Sequence, residues 1–326
     1  MAMRRRGMLV TVFAVLLWSG LAWGKTPIKL GVVTIPGSAQ NVCADRFKEL
    51  VEARSDYEVK VFHSASLGTE TEILQQIKMG SVQMGIITDG PFDVFVPEAR
   101  VISYPFLFDS FQKVDKVLDG PPGQELLKRL EKAGFKGLAF SENGFRNLTN
   151  NKRPVHTVAD AEGLKIRVME SLLHKELWRL LGANPTPMGW PIFTELQQGT
   201  IDAQENPLSV IVTYKLAEVQ KYLTLTAHVY SSHIDVANLE WFKGLPASDQ
   251  EMLRQCMVEA ARLQREWNRK NESEFLEKLK AAGMTVDEKP DLASFREKVS
   301  DIQGLPIFAA KEVQDMLREF LKAAKE

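Results

Sequence analysis

The apolar positions of this chain change period repeatedly, and each change marks an element. "IKLGVVTI" (28–35) is a run rich in β-branched residues and predicts a strand buried on both faces. Pro36-Gly37-Ser38 then turns the chain into a helix with Cys43, Phe47, Leu50 and Val51 at helical spacing. "YEVKVFH" (57–63) alternates, as a half-buried strand does. In "SLGTETEILQQIKMGS", Thr69 and Glu72 form a capping box that opens a helix, and Gly80 stops it. "VQMGIIT" (82–88) is a third strand. Strand–helix–strand–helix–strand is the pattern of a parallel sheet covered by helices.

The next segment, "DGPFDVFVPEARVISYPFLFDSF", holds three prolines and five phenylalanines and predicts an irregular wall. Helices resume around 111–118 and 123–133, and "FKGLAFSENG" (135–144) is a strand leaving this first unit. A second α/β series follows. "LKIRVM" (164–169) is a strand, Ser171 caps a leucine-rich helix, and "WPIFTELQQGTID" (190–202) gives a helix ended by Gly199 with a short strand after it. Pro207 starts a helix expected to run through Tyr214 to Val219. The β-rich segment 222–242 is too long for one average strand and is expected to cross between the units. Residues 246–283 are helical for almost their whole length, enough to brace both.

The N-terminus changes the compartment. Arg4, Arg5 and Arg6 precede an apolar stretch from Met8 to Trp18, and Ala22-Trp23-Gly24 is a small-x-small cleavage site. At about 11 residues this stretch is short of the ~20 that span hydrocarbon, so export with cleavage before Lys25 is expected. Residues 1–24 are thus read as a signal peptide. The remaining length suffices for two domains. Lys+Arg 41 against Asp+Glu 42 gives no bias toward nucleic acid or anionic membrane. Cys43 and Cys256 are too few for a disulfide scaffold and fall on helical patterns, which favours two buried thiols over one long-range bridge.

Most enzymatic signatures are absent: there is no Walker A loop, G-x-G-x-x-G, G-x-S-x-G, H-E-x-x-H or C-x-x-C. The five histidines include no i, i+4 pair, and neither a metal site nor a cofactor is expected. Asp202 and Glu205 could form an acid–base pair, yet acids beside a helix start are common because the dipole favours them. Three polar residues stand out: Arg167 inside "LKIRVM", Arg146 in "ENGFRNLTN", and Asn206 before Pro207. Each falls in or near a strand end, where open α/β sheets bind ligands. An arginine there matches a carboxylate with two parallel charge-assisted bonds.

"LKIRVMES", "LLGANPTPMGW" and "ELQQGTIDAQENPL", in that order, resemble the solute-binding proteins of tripartite ATP-independent periplasmic (TRAP) transporters, the DctP-type family. "SLGTETEILQQIKMGSVQMGI", "NGFRNLTNNKRPV" and "GLPASDQEML" extend the resemblance over the whole mature chain. It implies a two-domain α/β, periplasmic-binding-protein-like fold with hinge strands and a long helix spanning both domains. Domain I is expected over 25–143 plus 231–271, domain II over 144–230 plus 272–326, with the ligand cleft between them. It further implies a periplasmic protein that captures an organic acid and delivers it to a small and a large membrane subunit. By the same resemblance Arg167 holds the ligand carboxylate, Asn206 helps it, Arg146 adds positive potential and Trp190 stacks on the ligand. A monomer is expected.

Two departures bear on the ligand. "MGWPIFTEL" is one residue shorter than the common pattern, with Pro191 where an acidic or polar residue often stands. Val33, and Thr88 with Asp89, replace polar and acidic residues of sialic-acid-binding relatives. Asp89 is expected to accept bonds from ligand hydroxyls and to repel a second carboxylate. This favours a hydroxylated monocarboxylate such as a sugar acid, with keto, hydroxy and aromatic acids left open. The alternatives are a ligand sensor or an ATP-driven uptake protein of the same plan, and an exported hydrolase or lyase using Asp202 and Glu205.

Overall fold

The computed structural model describes residues 25–325; the leader expected over 1–24 lies outside them. The first series runs β1 (Thr26–Gly31), α1 (Ala39–Arg54), β2 (Tyr57–Phe62), α2 (Glu70–Lys78) and β3 (Met84–Thr88). Two short 3-10 turns cross the proline-rich wall before α3 (Phe111–Leu118), α4 (Pro121–Arg129) and β4 (Phe135–Asn150). The second series is β5 (Lys165–Val168), α5 (Leu172–Leu180), β6 (Asn184–Pro187), α6 (Phe193–Gln198), β7 (Ala203–Asn206) and α7 (Leu208–Thr213). The chain closes with β8 (Tyr222–Asn238), α8 (Leu239–Lys243), α9 (Ala247–Ala281), β9 (Thr285–Asp287), α10 (Leu292–Lys298) and α11 (Lys311–Lys325).

The caps are those the sequence announces. Thr69 and Glu72 form the reciprocal capping box of α2, Ser38 caps α1, and Ser171 accepts from the His174 amide at the start of α5. One helix departs from expectation. Pro207 is the N-cap of α7, which ends at Thr213, because Lys215 adopts a left-handed conformation (φ 53°) before a separate 3-10 turn.

The strands form one path, β2-β1-β3-β8-β4-β7-β5-β6, with β9 added to β8. β1 lies parallel to β2 and β3, and β5 parallel to β6 and β7, so each end of the path is a helix-covered parallel unit. Between them run two long antiparallel strands, β4 of 16 residues and β8 of 17. The upper part of β8 pairs with β3, while the last four residues of β4 pair with β7. These two strands therefore belong to both units. Their register shifts three times, at Gly137/Ala139, Glu142/Gly144 and Arg146/Leu148. Gly144 sits in the middle of this irregular stretch with φ 125°, and a Cβ there would approach Pro207 to 3.2 Å. Bulges of this kind bend strands and re-aim side chains.

Helix α9 has 35 residues, about 50 Å at 1.5 Å per residue. It packs on α1 of the first unit, on β4, and on α7 of the second. Cys43 and Cys256 lie in the core between β1, α1 and α9, both free and buried, and burial raises the pKa of each thiol. The C-terminal segment corrects one expectation. Residues 272–326 are expected wholly in the second unit, and β9 does pair with β8 at Tyr222–Thr224. Helix α11, however, packs on α3 and α4. Its stripe of Val313, Met316, Leu317 and Phe320 is buried there, where Val114, Val117 and Leu126 offer apolar faces that a helix must cover.

Candidate functional site

The strand ends of the two units converge on a small cavity, about 350 Å³ counting its open approach. The first unit contributes Gln40 from α1, Glu70 from α2 and Thr88 from β3. The crossing strands contribute Asn143, Arg146 and His233, and the second unit contributes Arg167, Trp190 and Asn206.

Arg167 stands on β5 and is buried. Its Nε and Nη2 donate to the Met188 carbonyl at 2.8 and 2.5 Å, and its guanidinium lies 5.3 Å from the centre of the Trp190 ring. Its Nη1 donates to nothing among the described residues. Burial and the neighbouring Arg146 pull its pKa down to about 10, against the opposing pull of Glu205, Glu70 and Glu170. It still carries its charge at neutral pH.

Arg146 is wholly buried, on the irregular stretch of β4. Its Nε and Nη2 are ion-paired with the Glu205 carboxylate, Nη2 reaching Oε1 at 2.9 Å. Nη1 has no partner among the described residues. Glu205 also meets His228 Nε2 at 3.2 Å and His174 Nδ1 at 3.4 Å. Burial works to raise its pKa, but Arg146 and then His174 hold it well below the usual carboxylate range. Its carboxylate is thus committed to neutralising Arg146, and an acid–base role is excluded by its lack of access. Arg146 presents one uncommitted N–H edge to the cavity, and its charge is felt there in the lowered pKa values of Arg167 and His233. Asp202 lies outside the cavity, accepting from the Lys165 amide at 3.3 Å and paired with Lys152 at 3.2 Å.

Asn206 ends β7 on the cavity wall, its Nδ2 donating to Gln204 Oε1 at 2.5 Å. That leaves the second amide hydrogen for another acceptor. Trp190 follows β6 and is joined to Pro191 by a cis peptide. Its ring is held between the Arg167 guanidinium and the edge of Tyr214, whose centroid is 4.6 Å away at 90°. Its indole Nε1 is buried against the Tyr214 hydroxyl, a contact that opposes the rise burial gives the Tyr214 pKa. The tryptophan therefore offers the cavity a surface.

Thr88 and Asp89 divide. Thr88 lines the cavity and spends its amide and hydroxyl on Glu70 Oε1, both at 2.8 Å. Asp89 does not line it: its carboxylate accepts from Ser103 and from Ser231 (2.8 Å) in the interior. The expectation that Asp89 meets ligand hydroxyls is thereby corrected, because successive residues leaving a strand point to opposite faces.

Glu70 occupies the place expected of Asp89. Its Oε1 accepts three bonds, from Gln40 Nε2 at 2.6 Å and twice from Thr88, while Oε2 accepts none among the described residues. Burial raises its pKa, opposed by the bonds from Thr88 and Gln40 and by the charge of Arg167. Gln40 Oε1 is likewise buried and unpaired. Sequence reading missed both residues. An acid in the first turn of a helix looks like an ordinary dipole partner, and Gln40 sits on α1 with no motif around it. His233, also missed, is held neutral: burial and then Arg146 push its pKa down to about 3.

A wider groove, about 1450 Å³ on the same measure, runs between α9, α4 and the start of β4. Its arginines are already engaged, Arg265 with Asp119 at 2.7 Å and Arg269 with Asp115 at 2.7 Å. No group of His, Cys, Asp and Glu among the described residues is arranged to hold a metal.

Known proteins resemble this chain over most of its length. The family model for bacterial extracellular solute-binding protein, family 7 (DctP), matches residues 30–303. A solute-binding protein of Verminephrobacter eiseniae is 41% identical over 277 residues, covering 84% of this chain and 83% of the relative. A TRAP periplasmic solute-binding protein from Polaromonas, solved with D-erythronate, superposes with a TM-score of 0.87 at 37% identity, covering 91% of this chain and 98% of that one. The sugar acid binding protein DctPAm of Advenella mimigardefordensis, solved with galactonate, gives 0.85 at 33% identity, covering 91% and 98%. These relatives are ligand-binding proteins rather than enzymes, and this chain belongs to their family, the DctP-type solute-binding proteins of TRAP transporters.

Proposed function

We propose that this protein captures a hydroxylated monocarboxylate of the sugar-acid class in the cavity between its two units. The observation that carries the reading is the pair of buried arginines, each with Nη1 uncommitted, on one cavity wall. The ligand carboxylate takes its bonds from Arg167 and the free edge of Arg146, with Asn206 as a further donor and the Trp190 ring as a stacking surface. Water leaves as the cleft closes, which strengthens each bond. The relatives bound to D-erythronate and galactonate support this ligand class.

The rest of the cycle follows the family. The leader is cleaved near Gly24-Lys25 and the mature protein works in the periplasm as a monomer. The units hinge where β4 and β8 cross between them, and the loaded form delivers its ligand to the small and large TRAP membrane subunits. Among the described residues no helix is long and apolar enough to cross a membrane.

The test is ligand identification. Native protein purified without refolding is analysed by mass spectrometry for retained small acids, then screened by thermal shift against D-erythronate, D-galactonate, pyruvate and succinate. A ligand at about 100 times its Kd stabilises the folded state by ~2.7 kcal/mol, so a clear rise in Tm with an aldonate is expected. Stabilisation by succinate or pyruvate alone would contradict the sugar-acid assignment.

A further inference from the structure

The cavity is polarised. Its free donors, Arg146 Nη1 and Arg167 Nη1, come from β4 and β5. Its free acceptors, Glu70 Oε2 and Gln40 Oε1, come from α2 and α1 of the first unit. A ligand between these sets has its orientation fixed: the carboxylate faces the arginines and hydroxyl hydrogens face the acceptors. The acceptor side is also rigid. Thr88 and Gln40 hold Glu70 Oε1 with three bonds, and Glu70 lies in the first turn of α2, where the helix dipole favours a carboxylate.

We propose that Glu70, assisted by Gln40, is the specificity-determining residue that restricts this site to monocarboxylates bearing hydroxyls away from the carboxylate. The inference rests on the ligand class given above and adds what the site rejects. A hydroxyl reaching Glu70 Oε2 gives a charge-assisted bond to an acceptor otherwise left empty. A second carboxylate there meets a like charge and two acceptors with no hydrogen to offer them. Both sets of lone pairs lose their water without gaining a partner. Selectivity of this kind comes from the repulsive element as much as from the attractive one.

The test uses matched acids that differ only in oxidation of the terminal alcohol: D-galactonate against galactarate, and D-erythronate against meso-tartrate. Each is titrated calorimetrically into the full mature protein and into Glu70→Gln and Glu70→Ala. Wild type is expected to prefer the monoacid of the better-bound pair by at least about tenfold, the scale of one adverse like-charge contact. Glu70→Gln, which replaces Oε2 by a donor, is expected to weaken the monoacid, which loses its charge-assisted bond, and to relieve the diacid, shrinking that preference by about tenfold or more. Glu70→Ala reads the same way should the glutamine variant fold poorly. A wild type that takes the diacid as tightly as the monoacid overturns the proposal, and so does a preference that survives both substitutions. If wild type binds neither monoacid, the ligand class itself fails and this inference with it. Arg167→Ala tells the two apart, since loss of the carboxylate partner weakens monoacid and diacid alike, whereas the Glu70 variants change the ratio between them.

Discussion

Two pairs of buried or half-buried arginines in this protein do opposite things. On the α9 side, Arg265 and Arg269 are used up. Arg265 donates from Nη1 and Nη2 to Asp119 at 2.7 and 2.8 Å and from Nε to the Phe140 carbonyl at 3.1 Å. Arg269 donates from both Nη atoms to Asp115 at 2.7 Å and from Nε to Glu142 at 2.9 Å. In the cavity, Arg146 and Arg167 each retain an Nη1 with nothing to donate to among the described residues. Charge alone does not separate the two regions, and the larger hollow lies beside the first pair. What separates them is the number of donors left over. A brace satisfies all its donors within the chain, whereas a binding site leaves some for its ligand.

The largest effect is expected from removing Arg146, which is both paired with Glu205 and open at Nη1. Arg146→Met leaves Glu205 buried without its cation, and loss of one partner of a buried pair costs about 3–5 kcal/mol. Urea denaturation is expected to show that loss, and adding Glu205→Gln to the variant to restore part of it.

Acid separates the regions less abruptly. An unfolded histidine gains its proton near 6.5, while His233 in the folded protein does so only at about 3. The unfolded state therefore binds more protons throughout that window. Stability is full above pH 6.5 and is lost as pH falls, by ~1.4 kcal/mol per unit from this group. Glu205, whose folded pKa is depressed, adds a further loss below the ordinary carboxylate range. Denaturation midpoints between pH 7 and 4 measure this, and His233→Gln is expected to flatten the slope.

The smallest effect is expected on the α9 side. Asp119 is largely exposed, so Arg265→Ala is expected to cost only about 1–2 kcal/mol of stability, through the lost bonds to Phe140 and the aspartates. Ligand affinity is expected to stay within about twofold, because no donor of the cavity is touched.

The α/β series, the long helix and the crossing segment were legible because each has a long, regular apolar period. The arginine of β5 was legible because a guanidinium inside a strand pattern is costly unless it has work to do. What failed was local and physical. Asp89 was assigned to the cavity one residue out of step with the strand, and a shift of one position reverses the face. Glu70 was hidden by its own position, since a first-turn acid has a sufficient explanation in the helix dipole. Lys215 broke a helix with a left-handed backbone that no proline or glycine announces. Helix α11 had a clear apolar stripe, but its partner helices lie about two hundred residues away in the chain.

Uncommitted arginine donors make the binding site. Calorimetric titration of D-galactonate and D-erythronate into wild type, Arg167→Ala and Arg265→Ala tests that claim directly. Arg167→Ala is expected to lose about 2–5 kcal/mol of binding free energy, as when one partner of a desolvated charge pair is removed. Arg265→Ala is expected to bind as wild type does. Wild-type affinity in Arg167→Ala, or an equal loss in both variants, would contradict it.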